Sequence, residues 1–286
     1  MAIVGSYVAL SKTLILIFPL FVLAGLRFGI AAVAMVGWVQ RGTAEPELDA
    51  RDRRLLFTQS FFGNFLFSIC MLGGMALTSA LAAGVIMAAM PAVVALMSWW
   101  WLGERIAARV AAGIACAVGG IAIVSLTRHA DGQSGTPVNQ ALWGNLLLLG
   151  AVLCEALYVV VGKKLTGKVS PKRISALINL WGLALVAPLA LWQGLGFDFQ
   201  AVSAPAWLLL VCYSLAASIV TVWLWMTGLR HVPASQAGVF TVMLPVSTAA
   251  VGVLFLGEHF SGVQAAAYSL ALAGLVLATW PGASRR

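Results

Sequence analysis

One carboxylate, Glu155, lies well inside a long apolar stretch of this chain. An ionised group at membrane depth costs at least a few kcal/mol, so its presence there needs a reason. Glu155 has the chemistry to recognise a substrate ammonium group or to carry a proton. Tyr158 follows three residues later and shares its helical face, where its ring can stack on an aromatic substrate. The structural alternatives are an ion pair with Lys163 or a polar contact between helices for Glu155, and plain interface packing for Tyr158.

Two further sets of polar residues lie in apolar stretches with helical spacing. Asn64 and Ser68 are four residues apart, and Ser214, Ser218 and Thr221 occupy positions i, i+4 and i+7. A polar stripe on an apolar helix faces either a wet cavity or another helix. Asn64 and Ser218 are equivalent in an internal repeat, and both fall near the middle of their stretches. This central position favours the cavity.

Four more residues are candidates for lining or shaping that cavity. Trp223 lies deep enough in its stretch to form a wall, although ordinary packing is the alternative. Gln236 is close to the start of another stretch and could reach a substrate from one end. Pro91 and Pro245 each fall in the middle of a stretch, where the missing N–H and the ring clash kink a helix. Two repeat-related kinks predict a gate, with packing geometry as the alternative.

Three charged residues are expected to have structural roles. Arg27 could hold a substrate carboxylate, but a buried arginine more often caps carbonyls or extends to the membrane interface. Glu104 and Glu258 each follow a glycine at the end of an apolar stretch. We expect the glycine to let the chain turn and the glutamate to accept hydrogen bonds from the first amides of the next helix. A gating contact is the alternative.

The elements that must position these residues are membrane spans. Hydrophobic residues make up 62% of the chain and charged residues 9%, with a mean hydropathy of +0.99, which lies far outside the range of soluble domains. About 20 apolar residues cross a hydrocarbon layer of roughly 30 Å, and within lipid a helix satisfies its own backbone. The sequence therefore predicts an all-α polytopic membrane protein with ten transmembrane helices. They fall at approximately 2–18, 21–39, 55–76, 80–102, 108–126, 142–163, 174–194, 206–229, 234–256 and 262–281.

The basic residues predict the orientation of these spans. The net charge is +8, and the loop cations follow even-numbered spans with Arg128 as the exception. The positive-inside rule then places both termini in the cytoplasm. The charge thus reports topology and attraction to anionic lipid headgroups, and it does not indicate binding of nucleic acid.

An internal repeat divides the chain in two. The run Pro91…Leu102-Gly-Glu104 recurs 154 residues later as Pro245…Leu256-Gly-Glu258. Five spans per half is an odd number, so the second half enters the membrane upside down. The predicted organisation is a first five-helix repeat at 1–127, a linker loop at 128–139 and a second, inverted repeat at 140–286. Transporters built this way place their substrate site between the repeats, near the bilayer midplane.

The alignment of the repeats also bears on the first span. The span at 142–163 aligns with a first span that would begin before Met1. We therefore expect the native N-terminus to extend beyond Met1, and a short, tilted first helix is the alternative.

The chain resembles the drug/metabolite transporter superfamily, specifically the ten-helix EamA-type exporters of bacterial inner membranes. The resemblance covers nearly the whole chain. It rests on Gly5-Ser6…Lys12…Pro19…Arg27, on the two Pro…Leu-Gly-Glu helices and on Ala156-Leu-Tyr158…Lys163-Lys164. It implies export across the inner membrane, and the overall similarity is greatest to the branch that exports aromatic amino acids. Glu155 departs from the family pattern, which commonly has an aromatic or small residue there.

These features together predict a secondary transporter that exports amino acids, mainly aromatic and other hydrophobic ones, by alternating access around a central cavity. A broad-specificity exporter of lipophilic cations or other small metabolites is the alternative, since it needs only a carboxylate and aromatic walls. The sequence has no HExxH, Gly-x-Ser-x-Gly or GxxxxGK[ST] motif, so we expect neither an enzyme nor direct use of ATP. We expect no cofactor or metal. The predicted partners are a small-molecule substrate and the lipid bilayer, for a monomer or homodimer.

Overall fold

The computed structural model describes residues 14, 17–42, 45–77, 86, 89–127, 138–243 and 262–279. Within these ranges every regular element is helical. The α-helices are α1 (Leu20–Ala34), α2 (Ala50–Ser60), α3 (Phe67–Leu77), α4 (Met90–Leu102), α5 (Ala108–Thr127), α6 (Val138–Thr166), α7 (Pro171–Gly194), α8 (Ala204–Ser214), α9 (Thr221–His231), α10 (Ala234–Val239) and α11 (Gly262–Thr279). Two π-helices, π1 (Phe61–Leu66) and π2 (Leu215–Val220), join α2 to α3 and α8 to α9.

The described helices follow the predicted spans closely in the second half of the chain. Among the described residues, three helices are long and apolar enough to cross a membrane: Leu142–Thr166, Pro171–Gly194 and the continuous stretch Ala204–His231. The predicted first span falls almost wholly outside the described residues. In the predicted fourth span, the part before Ala89 also lies outside the described residues, except for Ile86. In the predicted ninth span, the part after Met243 lies outside them. The observed architecture is that of an all-helical, polytopic membrane protein.

The helix that contains Pro91 has a break just before the proline. α4 begins at Met90, after a turn in which the N–H of Ala89 donates to the carbonyl of Ile86 at 3.1 Å, so Pro91 lies in the first turn of α4. Proline is tolerated there because its missing N–H would have no partner within the helix. Ile86 is itself helical, but residues 87 and 88 lie outside the described residues, so the kink at Pro91 stays a prediction. Pro245, its equivalent in the sequence repeat, also lies outside the described residues.

Ion pairs join the loop after α1 to the loop after α6. Glu45 accepts a hydrogen bond from the N–H of Ser170 at 2.9 Å and pairs with Arg173 at 3.1 Å. Burial raises the pKa of the Glu45 carboxyl, but the hydrogen bonds from Ser170 and Arg173 outweigh it and hold this pKa below its ordinary value. Lys168 lies 3.2 Å from Asp52, at the start of α2. These contacts fix the start of α7 against the start of α2.

The loops after α4 and α9 lie at the same face as these ion pairs. The Glu104 carboxylate binds the first turn of α10, and Lys163, close to the end of α6, donates to the carbonyl of Val232 at 2.7 Å. We call this the basic face, defined by the loops 39–49, 103–107, 167–170 and 232–233. All four follow even-numbered predicted spans.

The opposite end of the bundle is rich in aromatic residues. The ring of Phe18 lies 5.4 Å from that of Trp207 and 5.7 Å from that of Phe197. The N–H of Phe21 donates to the side-chain oxygen of Gln193 at 2.9 Å. We call this the aromatic face; α1 and α8 begin here and α7 ends here. It follows that α1 and α7 are antiparallel, and that α2 and α8 start at opposite faces.

Helix α7 contacts α1, α2, π1 and α9. Its approach to α1 is close, since a Cβ added at Gly25 would lie 2.6 Å from the Cβ of Ala190. One buried cluster joins α2, α4, α6, α7, α9 and α10, and it includes Leu165, Ile178 and Met226. Helices α6 and α7 thus both pack against α2, π1 and α9.

Candidate substrate site

The polar residues predicted for the cavity lie on two helices that share the same irregularity. Each helix contains one six-residue π-helical turn, π1 or π2. The bounds of α2, π1 and α3 become those of α8, π2 and α9 when 154 is added to each residue number. π-Helical turns are rare and occur frequently at functional positions. Asn64 lies in π1, and Ser218 lies at the equivalent position of π2.

In π1 the polar side chains form a connected network that reaches α7. The Ser60 hydroxyl donates to the carbonyl of Ile178 at 2.7 Å. The Asn64 amide donates to Ser60 Oγ at 3.3 Å and to the Ile178 carbonyl at 3.4 Å, both of which are long. The Ser68 hydroxyl donates to the carbonyl of Asn64 at 2.6 Å. Asn64 and Ser68 are partly exposed, so their remaining hydrogen-bonding capacity is accessible.

In and beside π2 the polar residues are buried, and the hydroxyls of Ser214 and Thr221 bond to the backbone. The Asn179 amide of α7 donates to the carbonyl of Ser218 at 3.1 Å, and Ser218 is only 3% exposed. The Thr221 hydroxyl donates to the carbonyl of Ala216, five residues earlier, at 2.8 Å. The Ser214 hydroxyl donates to the carbonyl one turn earlier at 2.7 Å. The structure therefore places Ser214, Ser218 and Thr221 in contacts within and between helices, and their role in a cavity stays a prediction.

Helix α6 packs antiparallel to α2 and π1. A Cβ added at Gly162 would lie 2.7 Å from the Gln59 amide nitrogen, and one added at Gly63 would overlap the ring of Tyr158. The ring can lie there only because Gly63 has no side chain. This register places Glu155, one turn before Tyr158, at the depth of the last residues of π1. Glu155, Tyr158 and the network of π1 are thus at one level of the membrane.

Glu155 has no partner among the residues that the structure describes. It is partly exposed and makes neither a hydrogen bond nor an ion pair with them. The ammonium of Lys163 donates instead to the carbonyls of Leu229, Arg230 and Val232, at 2.8, 3.3 and 2.7 Å. The ion pair that was the structural alternative for Glu155 is not formed. Within the described part of the chain, nothing competes with an ammonium group or a proton for this carboxylate.

Trp223 and Gln236 lie nearer to the edges of the bundle. The ring of Trp223 is 6.1 Å from that of Trp38, which lies just after α1. Gln236 is in the first turn of α10, a helix that contacts α4 and α6, and its side chain is partly exposed. Neither position is brought into a described contact with Glu155, and both assignments stay predictions.

Arg27 is held on α1 by an aromatic ring. Its guanidinium carbon lies 4.4 Å from the centroid of Phe28, and its Nε is buried without a hydrogen bond. Neither carbonyl capping by Nε nor a contact with Glu155 is observed. An apolar groove beside it, lined by Gly25, Gly29 and Val33 among others, includes none of the polar residues predicted to bind substrate.

The residue that the sequence analysis missed is Gln59. It is completely buried, its amide nitrogen lies 3.4 Å from the carbonyl of Tyr158 and 3.8 Å from the sulfur of Met226, and its Oε1 has no hydrogen bond. The available signal was the spacing of four residues between Gln59 and Gly63, which places both on the face that meets α6. Within the described ranges, no three His, Cys, Asp or Glu side chains are grouped as metal ligands would be.

Comparison with known proteins gives a consistent result. The model of the EamA-like transporter family matches residues 1–126 and 142–280. An uncharacterized transporter of Bacillus subtilis (strain 168), YetK, is 34% identical over 278 residues, which cover 96% of this chain and 83% of the relative. An uncharacterized transporter of Archaeoglobus fulgidus is 23% identical over 257 residues, covering 89% and 87%. One solved crystal structure superposes with a TM-score of 0.77 at 20% identity, over 97% of this chain and 93% of that chain, and shows the shared fold.

Proposed function

The chain belongs to the EamA-like transporter family, so it is a multi-pass membrane transporter and not an enzyme, and we propose that it exports amino acids with aromatic or other hydrophobic side chains. Transport proceeds by alternating access around a central cavity between two inverted five-helix repeats. The protein lies in a bacterial inner membrane as a monomer or homodimer, with both termini in the cytoplasm.

The observation that carries this proposal is that the Glu155 carboxylate has no partner among the described residues. Burying a charge without a partner is unfavourable, so a carboxylate kept at this depth has a ligand or a proton during the transport cycle. Glu155 binds the substrate ammonium, and the neighbouring ring of Tyr158 stacks on an aromatic side chain. The Asn64 amide, whose two hydrogen bonds are long, donates to the substrate carboxylate.

Two features of the fold support inverted repeats. The matching bounds of α2, π1 and α3 with α8, π2 and α9 occur at the same offset of 154 as the sequence repeat, and α5 and α11 also begin 154 residues apart. The equivalent helices α2 and α8 begin at opposite faces, as inversion requires. The concentration of loop cations at the basic face supports a cytoplasmic location for that face.

Export of lipophilic cations is the second candidate, and the position of Arg27 favours it. An amino-acid site needs a group for the substrate carboxylate, and the guanidinium of Arg27 lies over Phe28 instead of beside Glu155. A lipophilic cation needs only Glu155 and an aromatic wall such as Tyr158. The two candidates share recognition of a positive charge by Glu155 and differ in the need for a carboxylate-binding group.

The experiment is uptake of radiolabelled phenylalanine, tryptophan and methionine into proteoliposomes, with and without a pH gradient. We expect saturable uptake that unlabelled substrate competes away. Glu155→Gln should lower uptake at least about tenfold, since hydrogen bonds to charged groups contribute this order of free energy. Glu47→Gln is the matched control, because that carboxylate lies in a loop with its side chain 85% exposed.

Each outcome decides between the candidates. A pH-gradient effect that disappears in Glu155→Gln would assign proton coupling to this carboxylate. Uptake of a lipophilic cation such as tetraphenylphosphonium in place of amino acids, with Asn64→Ala having no effect, would replace the amino-acid proposal by the alternative. Full amino-acid uptake by Glu155→Gln would contradict the assigned role of Glu155.

A further inference from the structure

The Glu104 carboxylate connects two helices that are far apart in sequence. Gly103 ends α4 in the left-handed region, at φ +68°, and so turns the chain at a position that a side chain would strain. The carboxylate then accepts hydrogen bonds from the N–H of Ala234 at 2.8 Å, the N–H of Ser235 at 3.0 Å and the Ser235 hydroxyl at 2.9 Å. The expectation of a cap on the next helix is thus corrected, because the capped helix is α10 and not α5.

The start of α10 depends on this contact. The residue before α10 is Pro233, which offers no side-chain cap. The negative charge of Glu104 is also favoured by the positive end of the helix dipole. A residue of the first half of the chain therefore holds the first turn of a helix in the second half.

Lys163 holds the preceding helix in a complementary way. Its ammonium binds the carbonyls of Leu229 and Val232 at the end of α9, where a cation is favoured by the negative end of the dipole. Lys163 also lies within electrostatic reach of Glu104. The end of α9 and the start of α10 are thus anchored by one cation and one anion from other helices.

A second closed layer lies between these contacts and the candidate site. Gln59 fills the space between α2, Gly162 of α6 and Met226 of α9, and both Gln59 and Met226 are fully buried. By the register of α6 on α2, this layer lies between Tyr158 and Lys163. Among the described residues, the Gln59 layer and the contacts of Lys163 and Glu104 thus lie in succession between Tyr158 and the basic face. The Gln59 Oε1 atom has no hydrogen bond in this closed arrangement, so hydration on opening would satisfy it.

We propose that the Glu104–α10 contact, the Lys163–α9 contact and the Gln59 layer form the gate of the transporter at the basic face. The gate rests on the proposed function, because alternating access requires one face to close while the other opens. Opening separates Glu104 and Lys163 from the loop between α9 and α10, and the movement of α9 away from α2 and α6 exposes Gln59. Charged contacts suit this role because water can replace each of them when the gate opens.

The test measures access to the site from each face without using a substrate. Cys70, Cys116, Cys154 and Cys212 are replaced by alanine, and the partly exposed Ser68 is replaced by cysteine as a reporter. A charged, membrane-impermeant methanethiosulfonate reagent is added to inside-out and right-side-out vesicles. Glu104→Gln and Lys163→Met should each accelerate labelling from the basic face at least about tenfold, given the strength of charge-assisted hydrogen bonds. Glu47→Gln, a surface carboxylate at the same face, should leave the rate unchanged.

A covalent version keeps the test decisive if Glu104→Gln does not fold. Glu104→Cys with Ser235→Cys, joined by a short bifunctional methanethiosulfonate, should abolish labelling from the basic face, and reduction should restore it. Unchanged labelling in Glu104→Gln or in the cross-linked protein would show that the contact is a static helix cap and overturn the gate. If the protein takes up no amino acids but Glu104→Gln and Lys163→Met still accelerate labelling, the proposed substrate class is wrong and the proposed gate stands.

Discussion

The two π-helical turns have the same length and equivalent positions, but their surroundings differ. In π1 all six residues are partly exposed, and Gly63 receives the ring of Tyr158. In π2 the equivalent residue is Ala217, which is buried together with Ser218. Helix α7 binds both turns, through the carbonyl of Ile178 at π1 and the amide of Asn179 at π2.

The two halves share the π-helical turn but differ in the burial of the polar residues around it. A widened turn leaves backbone groups that need other partners. At π2 the Asn179 amide satisfies the carbonyl of Ser218, whereas at π1 the Ser60 and Asn64 side chains donate to the Ile178 carbonyl of α7. Of the two turns, only π1 combines the widened turn with partly exposed polar side chains and lies against α6, whose Glu155 has no described partner. The backbone is thus symmetric while the chemistry is one-sided, and we expect substrate to be bound mainly by π1 and α6.

The largest effect should come from removing the space at π1. Gly63→Ala places a methyl group in the ring of Tyr158 at atoms close to its backbone, where the side chain cannot swing away. We expect a loss of about 3 kcal/mol, the upper end for overpacking, and loss of transport. Thermal unfolding in detergent measures the loss of stability, and uptake into proteoliposomes measures the loss of transport. Tyr158→Ala in the same chain should restore folding, and a fully stable Gly63→Ala protein would contradict the tight contact.

A smaller loss should follow removal of the link between α7 and π2. Asn179 is 2% exposed and holds the Ser218 carbonyl, so Asn179→Ala leaves a buried acceptor unpaired and should cost about 2 kcal/mol. Asn64→Ala breaks only long bonds at a partly exposed position and should change stability by less, while lowering uptake. Equal stability losses in the two variants would remove the distinction between a structural π2 and a binding π1.

The ion pair that fixes the start of α7 should give a pH-dependent effect. Because the folded pKa of Glu45 lies below its ordinary value of 4.5, its contribution is complete above that value and is lost as the pH falls through the folded pKa. Glu45→Gln should lower stability by about 1.5 kcal/mol at pH 7, as expected for a hydrogen bond to a charged group. The melting temperatures of the variant and the parent should converge as the pH falls below the folded pKa of Glu45. A difference that stays constant with pH would show that the charge has no part in it.

The smallest effect should come from the hydroxyl that bridges the π2 turn. Thr221→Val keeps the shape of the side chain and removes its hydrogen bond to the Ala216 carbonyl, at a cost of about 1 kcal/mol. Uptake at saturating substrate should be unchanged, because π2 is not the binding turn in this proposal. A strong loss of uptake at normal stability would show that the residues beside π2 bind substrate, as the spacing of Ser214, Ser218 and Thr221 had predicted.

The sequence anticipated a large part of this structure because spans and repeats leave direct signals. Apolar length predicted the spans that became α6, α7 and the Ala204–His231 stretch. It also singled out Glu155 as a carboxylate well inside a span, with a structural and a functional interpretation both open. The helical spacing of Asn64 with Ser68, and of Ser214 with Ser218 and Thr221, predicted shared faces but could not tell which face met a helix. That choice depends on α7, more than a hundred residues from Asn64 in sequence.

The local breaks in the helices were harder to anticipate. Pro91 was expected to kink a helix; it lies in the first turn of α4, just after a turn at Ala89, and the kink stays a prediction. Glu104 was expected to cap the helix that follows it, and it caps α10, since the glycine before it sets the direction of the chain but not its target. The role of Gln59 was hardly predictable from the sequence, because it depends on contacts with residues of α6 and α9 that are distant along the chain.

The sequence by itself determined the membrane environment, the repeat and the family of this protein, since each follows from composition or from residue order along the chain. Only the tertiary structure decided that Glu155 has no described partner, that π2 is packed while π1 is accessible, and that Glu104 and Lys163 hold α9 and α10. The physical reason is that hydropathy and periodicity are local properties. Hydrogen bonds and burial depend on which distant helix arrives at each face.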